Sequence, residues 1–230
     1  MTRFKIMERM SSPPAGRNLF SHFPITTTDK RPVPMKMSEI IVENQVMLSA
    51  GSDTTQSALA YTMFLLAANP EKQRTLREIL QKTLPTEEVT SVVASYNSVK
   101  NIPYLKACLD ESMRLYAPIG FGLPRRTLGE GATIVGHHIP CGVTISAPVY
   151  TIQCNETLFK DESKHVPERW LPENPATTEE ENRNLKDYYL PFSLDGRACI
   201  GRNLAYMQMS LAISAMVLAF DWNSPRLVSR

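Results

Sequence analysis

A mainly α-helical fold with a small β section is what this sequence predicts, and three observations carry the prediction. A long segment from Ser38 to about Ala68 is rich in apolar residues, opens on a good N-cap and ends at Asn69-Pro70. After Gly201, the residues Leu204, Met207, Leu211, Met216 and Leu218 form a run that is apolar almost all round, the pattern of a buried helix. Between these lie three stretches of strand-like composition, Phe121–Thr127, Ala132–Val135 and Val143–Val149, with Ile139-Pro140-Cys141-Gly142 as a turn before the last.

Composition limits the function classes. With 230 residues, 43% hydrophobic and 21% charged, the chain can bury one sizeable core. The net charge of +2, with acids and bases interspersed, argues against a nucleic-acid surface. Four cysteines, Cys108, Cys141, Cys154 and Cys199, are too sparse for a disulfide framework, and a reducing compartment follows. No uncharged apolar run reaches the roughly 18 residues of a membrane span, and no signal-peptide core opens the chain.

In chain order, residues 1–34 read as a Pro-, Ser- and Thr-rich lead-in with room for disorder, and residues 35–230 as the folded portion. The helix from Ser38 is a rod of roughly 45 Å at 1.5 Å per residue. Its flanks, Ile40, Ile41, Val46, Met47, Leu48 and Met63–Leu66, read as too apolar for exposure, whereas Ser49–Thr55 is small and hydroxylated and invites a kink or local groove. A charged amphipathic helix from Asn69 to Lys82 and a weak helical segment from Val89 to Tyr96 read as solvated connectors. The next helix starts at Ile102-Pro103 and runs to Tyr116, with Glu111 and Arg114 on one face. His137, His138, Cys141 and His165 match no zinc spacing and read as surface-turn residues.

The candidate chemistry centres on Phe192–Ala205. Asp195-Gly196 is a turn signal, with Gly196 suited to a positive φ. Cys199 follows, close to the N-terminus of the last helix and flanked by Arg197 and Arg202. Free amide groups, the helix dipole and the two guanidinium groups favour a thiolate there, and a buried anion needs a cation or metal to face.

The run Phe192-Ser193-Leu194-Asp195-Gly196-Arg197-Ala198-Cys199-Ile200-Gly201 resembles the haem-binding loop of the cytochrome P450 family, in its eukaryotic, fungal-like form. Ser193 and Asp195 stand where glycine is common in that loop. Ala50-Gly51-Ser52-Asp53-Thr54-Thr55 resembles the family's oxygen-binding segment, Glu111–Arg114 its Glu-x-x-Arg pair, and Pro167-Glu168-Arg169-Trp170 its Pro-Glu-Arg-aromatic segment. The resemblance implies the C-terminal portion of the cytochrome P450 fold, about half the usual length.

Several roles follow from the resemblance. Cys199 is the axial iron ligand of haem b, and Ala50, Gly51, Arg125, Phe192, Arg197 and Gly201 border the cofactor. Arg125, with Arg126 as the alternative, meets a propionate. Asp53 and Thr54 deliver protons to bound oxygen, and Ile119–Leu123 borders the substrate. Glu111, Arg114 and Arg169 form a buried lock that fixes the haem loop. The implied activity is insertion of one oxygen atom of O2 into a small organic substrate in secondary metabolism. Electrons come from NADPH through a separate reductase, since no dinucleotide-binding motif occurs in the chain. Full-length relatives are usually anchored at the endoplasmic reticulum membrane. The alternative is a truncated, catalytically inactive haem-binding fragment.

Overall fold

The structure, a computed structural model, describes residues 6–8, 35–171 and 178–223. It divides into two compact units, Met1–Asp53 and Thr54–Arg230. Apart from residues 6–8, which are helical with Ile6 buried, the expected lead-in lies outside the described residues.

Helix α1 spans Met37–Ala68, 32 residues, and starts at Met37, one residue before the Ser38 cap read from the sequence. It stays α-helical through Ser49–Thr55. Six weak helix formers cost from tenths up to about 1 kcal/mol each, which a long cooperative helix absorbs. In the first unit Ile40 is buried, but Val42, Val46, Met47 and Leu48 are exposed. Their apolar character therefore does not mark burial here.

In the second unit α2, Pro70–Thr83, begins with proline in its first turn. It is no solvated connector, because Gln73, Leu76 and Leu80 are buried. Their spacing of three and four residues places them on one face, and that face joins the core. Short helices α3, Thr86–Ser91, and α4, Tyr96–Val99, lead to α5, Pro103–Leu115. All but Pro103 and Lys106 of α5 are buried, which makes it the central rod of this unit. The last helix, α8, spans Arg202–Ala219. Its buried residues are Met209, Ser210, Ile213, Ser214 and Val217, whereas Leu204 is exposed and Met207, Leu211, Met216 and Leu218 are half-buried. A run apolar all round does not say which face wins; the small Ser210 and Ser214 mark the side that meets its neighbours closely.

The β section is shorter than its composition suggests. Strands β1, Arg125–Arg126, and β4, Thr144–Ile145, pair antiparallel. Strands β2, Ala132–Ile134, and β3, His137–Ile139, form a second antiparallel pair. Proline explains the shortfall, since Pro124 and Pro148 lack the N–H that a ladder requires. Pro148 instead precedes a short helix, α6, Val149–Gln153. The expected turn at His137-His138 is displaced: it lies at Val135-Gly136, where φ is 48° and 78°. Left-handed geometry at both central residues suits a two-residue hairpin, but valine there hides the signal. His165 is buried and far from a surface-turn setting.

Two further elements complete the unit. A 3-10 turn forms at Pro167–Trp170, and helix α7 spans Glu179–Asp187. Helix α7 opens on a capping box between Thr178 and Glu181, the Thr-x-x-Glu pattern that the sequence displays. No helix among the described residues is long and apolar enough to cross a membrane.

Candidate functional site

The cysteine loop is a closed turn of backbone. The Cys199 N–H donates to the Phe192 carbonyl at 2.8 Å, and inside that ring Ser193 N–H reaches Leu190 and Ala198 N–H reaches Asp195. Asp195–Arg197 forms a 3-10 turn, and Gly201 caps α8. The reversal does not use Gly196 as expected. Positive φ falls on Ser193, at 57°, and Asp195, at 54°, the two positions where a glycine would carry no strain. Phe192 packs against the ring of Tyr206 at 5.2 Å between centroids.

Cys199 itself is exposed, not the buried anion that the sequence suggests. Arg197, Ala198 and Ile200 are exposed with it, Ile200 at 95%. Gly201 leaves space beside the sulfur: a Cβ there would stand 3.7 Å from Cys199 Sγ. The other cysteines differ. Burial pushes the Cys108 thiol well above its ordinary range and also raises Cys154, whereas Cys141 lies exposed in the turn after β3 with its sulfur near the Thr127 carbonyl.

The three lock residues meet. Glu111, wholly buried, receives Arg114 bidentately, Nε to Oε2 at 3.0 Å and Nη2 to Oε1 at 2.9 Å. It also receives Arg169 Nε at 3.2 Å, the Val166 N–H at 3.0 Å and Trp170 Nε1 at 2.9 Å. Such a carboxylate is buried at tolerable cost because each lone pair has a donor. The remaining guanidinium N–H groups hold carbonyls of Gln153, Glu162, Lys164, Lys160 and Asp161. These partners lie outside the cysteine loop. The triad grips the segment before that loop.

Residues outside the motifs make the direct connections. Asp110, buried beside Glu111, accepts from Tyr189 and Tyr206. Gln153, also buried, bridges α5 to the Leu190 N–H. Trp170 packs on Tyr189 in a tilted arrangement, with 4.5 Å between ring centroids. Sequence reading passed over Asp110 because an acid on a helix usually faces water, and over Gln153 because it belongs to no motif.

Five candidates remain. Arg125 in β1 is exposed, with its guanidinium near the Leu123 and Pro124 carbonyls. In the first unit, Ala50, Gly51 and Asp53 are exposed, and nothing lies within 4 Å of a Cβ built on Gly51. Thr54, in the second unit, is half-buried.

The donor set fits a metal that brings its own macrocycle. No group of three or more His, Cys, Asp or Glu side chains among the described residues could hold a bare ion. One exposed thiol between Arg197 and Ile200 suits an iron needing a single protein ligand within an apolar, acid-bearing ring.

Comparisons with known proteins agree in kind. The family model described as Cytochrome P450 matches residues 2–230. A cytochrome P450 monooxygenase, ORF9, of Penicillium roqueforti is 33% identical over 96% of this chain and 40% of its own length. Another, nodW of Hypoxylon pulicicidum, is 30% identical over 94% of this chain and 38% of its own. The chain thus spans about 40% of the length of the curated relatives it matches. A crystal structure of a cytochrome P450 (CYP102L1) superposes with a TM-score of 0.83, covering 100% of this chain and 50% of that one at 22% identity, a likeness of fold.

Proposed function

Since the chain belongs to the cytochrome P450 family, we propose that it is the haem-bearing portion of a monooxygenase that inserts one oxygen atom of O2 into a small organic substrate in secondary metabolism. The observation that carries this reading is the backbone ring from Phe192 to Cys199, which presents an exposed thiol beside the start of α8. Haem b, when bound, supplies the iron that activates dioxygen with electrons from NADPH, delivered by a separate reductase.

The chain's own residues do the rest. Cys199 holds the iron as its thiolate, while burial disfavours that role for Cys108 and Cys154. Phe192, Arg197 and Gly201 would border the macrocycle, and the Arg125 guanidinium, exposed in β1, would hold a propionate. Ala50 and Gly51 leave room beside α1, and Asp53 and Thr54 move protons to the oxygen site. Glu111, Arg114 and Arg169 take no part in chemistry; they keep the segment leading to the loop in place.

The test is the spectrum of the reduced protein with carbon monoxide. A strongly red-shifted band, lost on Cys199→Ala, is the expected result; a band that survives this change, or is lost equally from Cys108, Cys141 or Cys154 variants, refutes the assignment. In an active form of the enzyme, Thr54→Ala retains haem but diverts NADPH consumption from product to peroxide, and normal coupling removes the proton-delivery role.

A second reading is haem binding without turnover. The exposure of Val42, Val46, Leu48, Phe121 and Ile200 favours it, because such surface usually meets a partner or aggregates. Steady product formation by this chain with a reductase supplied decides for the enzyme.

A further inference from the structure

We propose that Asp110 and Gln153 are positioning residues for Cys199, clamping both ends of its loop against α5. The functional weight of this rests on the reading of Cys199 given above; the clamp itself is a matter of hydrogen bonds within the chain.

The loop has an entry, Tyr189–Phe192, and an exit, the first turns of α8. A single oxygen of Asp110, Oδ1, accepts from both: the Tyr189 hydroxyl at 3.1 Å and the Tyr206 hydroxyl at 2.6 Å. The other oxygen accepts from Lys106. Asp110 is 2% exposed, so its charge depends on these donors. Burial and the nearby Asp110 charge hold both phenols well above their ordinary range, which keeps them donors.

Gln153 makes the second tie. Its Nε2 donates to the carbonyls of Met113 and Arg114, each at 3.1 Å, two of those that the end of α5 leaves without helical partners. Its Oε1 accepts the Leu190 N–H at 2.7 Å. A carboxamide is the one neutral side chain offering two donors and an acceptor in a plane, and this one is wholly buried and fully used. From Leu190 the path to the cysteine is short: Leu190 carbonyl to Ser193 N–H, then Phe192 carbonyl to Cys199 N–H. Phe192 in turn rests on Tyr206. Entry, exit and cysteine are therefore tied to one helix through two side chains.

A purely structural role would weaken the whole unit; a positioning role acts first on the loop. Hydrogen exchange of the ligand-free chain separates the two. Tyr206→Phe removes one hydroxyl, Gln153→Met removes the amide at similar volume, and Arg77→Ala, which loosens the far end of α8, is the control. We expect amides of Phe192–Cys199 to exchange at least about tenfold faster in the first two variants, with mid-α8 amides unchanged. Asp110→Asn, which keeps an acceptor, should accelerate the loop less than Asp110→Ala. Loop exchange no faster than in the Arg77→Ala control overturns the clamp, and if Gln153→Met does not fold, Tyr206→Phe alone decides. In haem-loaded samples the clamp variants should lose the thiolate carbon monoxide band at equal haem content; retention of the band counts against positioning. If the unaltered chain shows no such band, the haem-thiolate reading fails while the exchange result still judges the clamp.

Discussion

The Glu111 carboxylate and the Cys199 thiol are opposites within one unit. Glu111 has no exposed surface and five donors on its two oxygens. Cys199 is exposed, in a loop whose Ser193 and Asp195 adopt left-handed backbone. The contrast follows from what each group must do. A buried carboxylate is tolerated only when saturated, whereas an exposed thiol needs no partner within the chain. Saturated hydrogen bonding thus goes with burial at Glu111, and left-handed backbone with exposure in the cysteine loop.

The comparison is most severely tested by emptying the saturated side. Glu111→Ala leaves Arg114 buried without its counter-charge and should cost about 3–5 kcal/mol, seen as loss of a cooperative thermal transition. A variant melting close to the parent chain would show that the network contributes little to folding.

Next in size is a pH effect near the same network. Both ring nitrogens of buried His165 lack a partner among the described residues, and burial, opposed by Glu111 and Glu168, depresses its pKa from 6.5 to about 4. The folded state therefore favours the neutral ring, while the unfolded chain takes up a proton first as pH falls. Stability from this residue is complete above pH 6.5 and declines by about 3 kcal/mol as pH falls toward 4. Urea midpoints across this range should fall more steeply for the parent than for His165→Leu; parallel curves would exclude His165 as the cause.

A smaller loss is expected at the end of α8 remote from the cysteine. Arg77 on α2 donates to the carbonyls of Val217, at 2.7 Å, and Phe220, and pairs with Asp221. Arg77→Ala should cost about 1–2 kcal/mol in denaturant unfolding. An unchanged midpoint would mean that water replaces the guanidinium without loss.

The smallest effect lies in the loop and has the opposite sign. Ser193→Gly should raise stability by up to about 1 kcal/mol, since relief of a left-handed serine exceeds the added chain entropy of glycine. Gly196→Ala should be neutral, for Gly196 has no positive φ and open space around it. A lower melting temperature for Ser193→Gly would show that the serine is not strained.

How much was legible varies with the kind of evidence. The long helix, α5 and the Glu111–Arg114–Arg169 meeting could be read because each rests on local spacing or on a motif. The β section was overread, because Pro124 and Pro148 interrupt residues whose composition still favours strands. His137-His138 was taken for a turn because Val135 conceals the hairpin signal. Helix α7 had an available sign in Thr178-Glu179-Glu180-Glu181 that went unused. Asp110 and Gln153 had none, since their importance comes from partners 37 to 96 residues away along the chain.

By itself the sequence determined the helical class, the family's motifs and the charged residues around Glu111, because helix periodicity and short motifs are local properties. Only the tertiary structure decided which apolar residues are buried, where the loop stores its positive φ and which side chains hold Cys199. Burial and hydrogen bonding are set by what the folded chain brings alongside a residue, and no spacing within a segment encodes that neighbour.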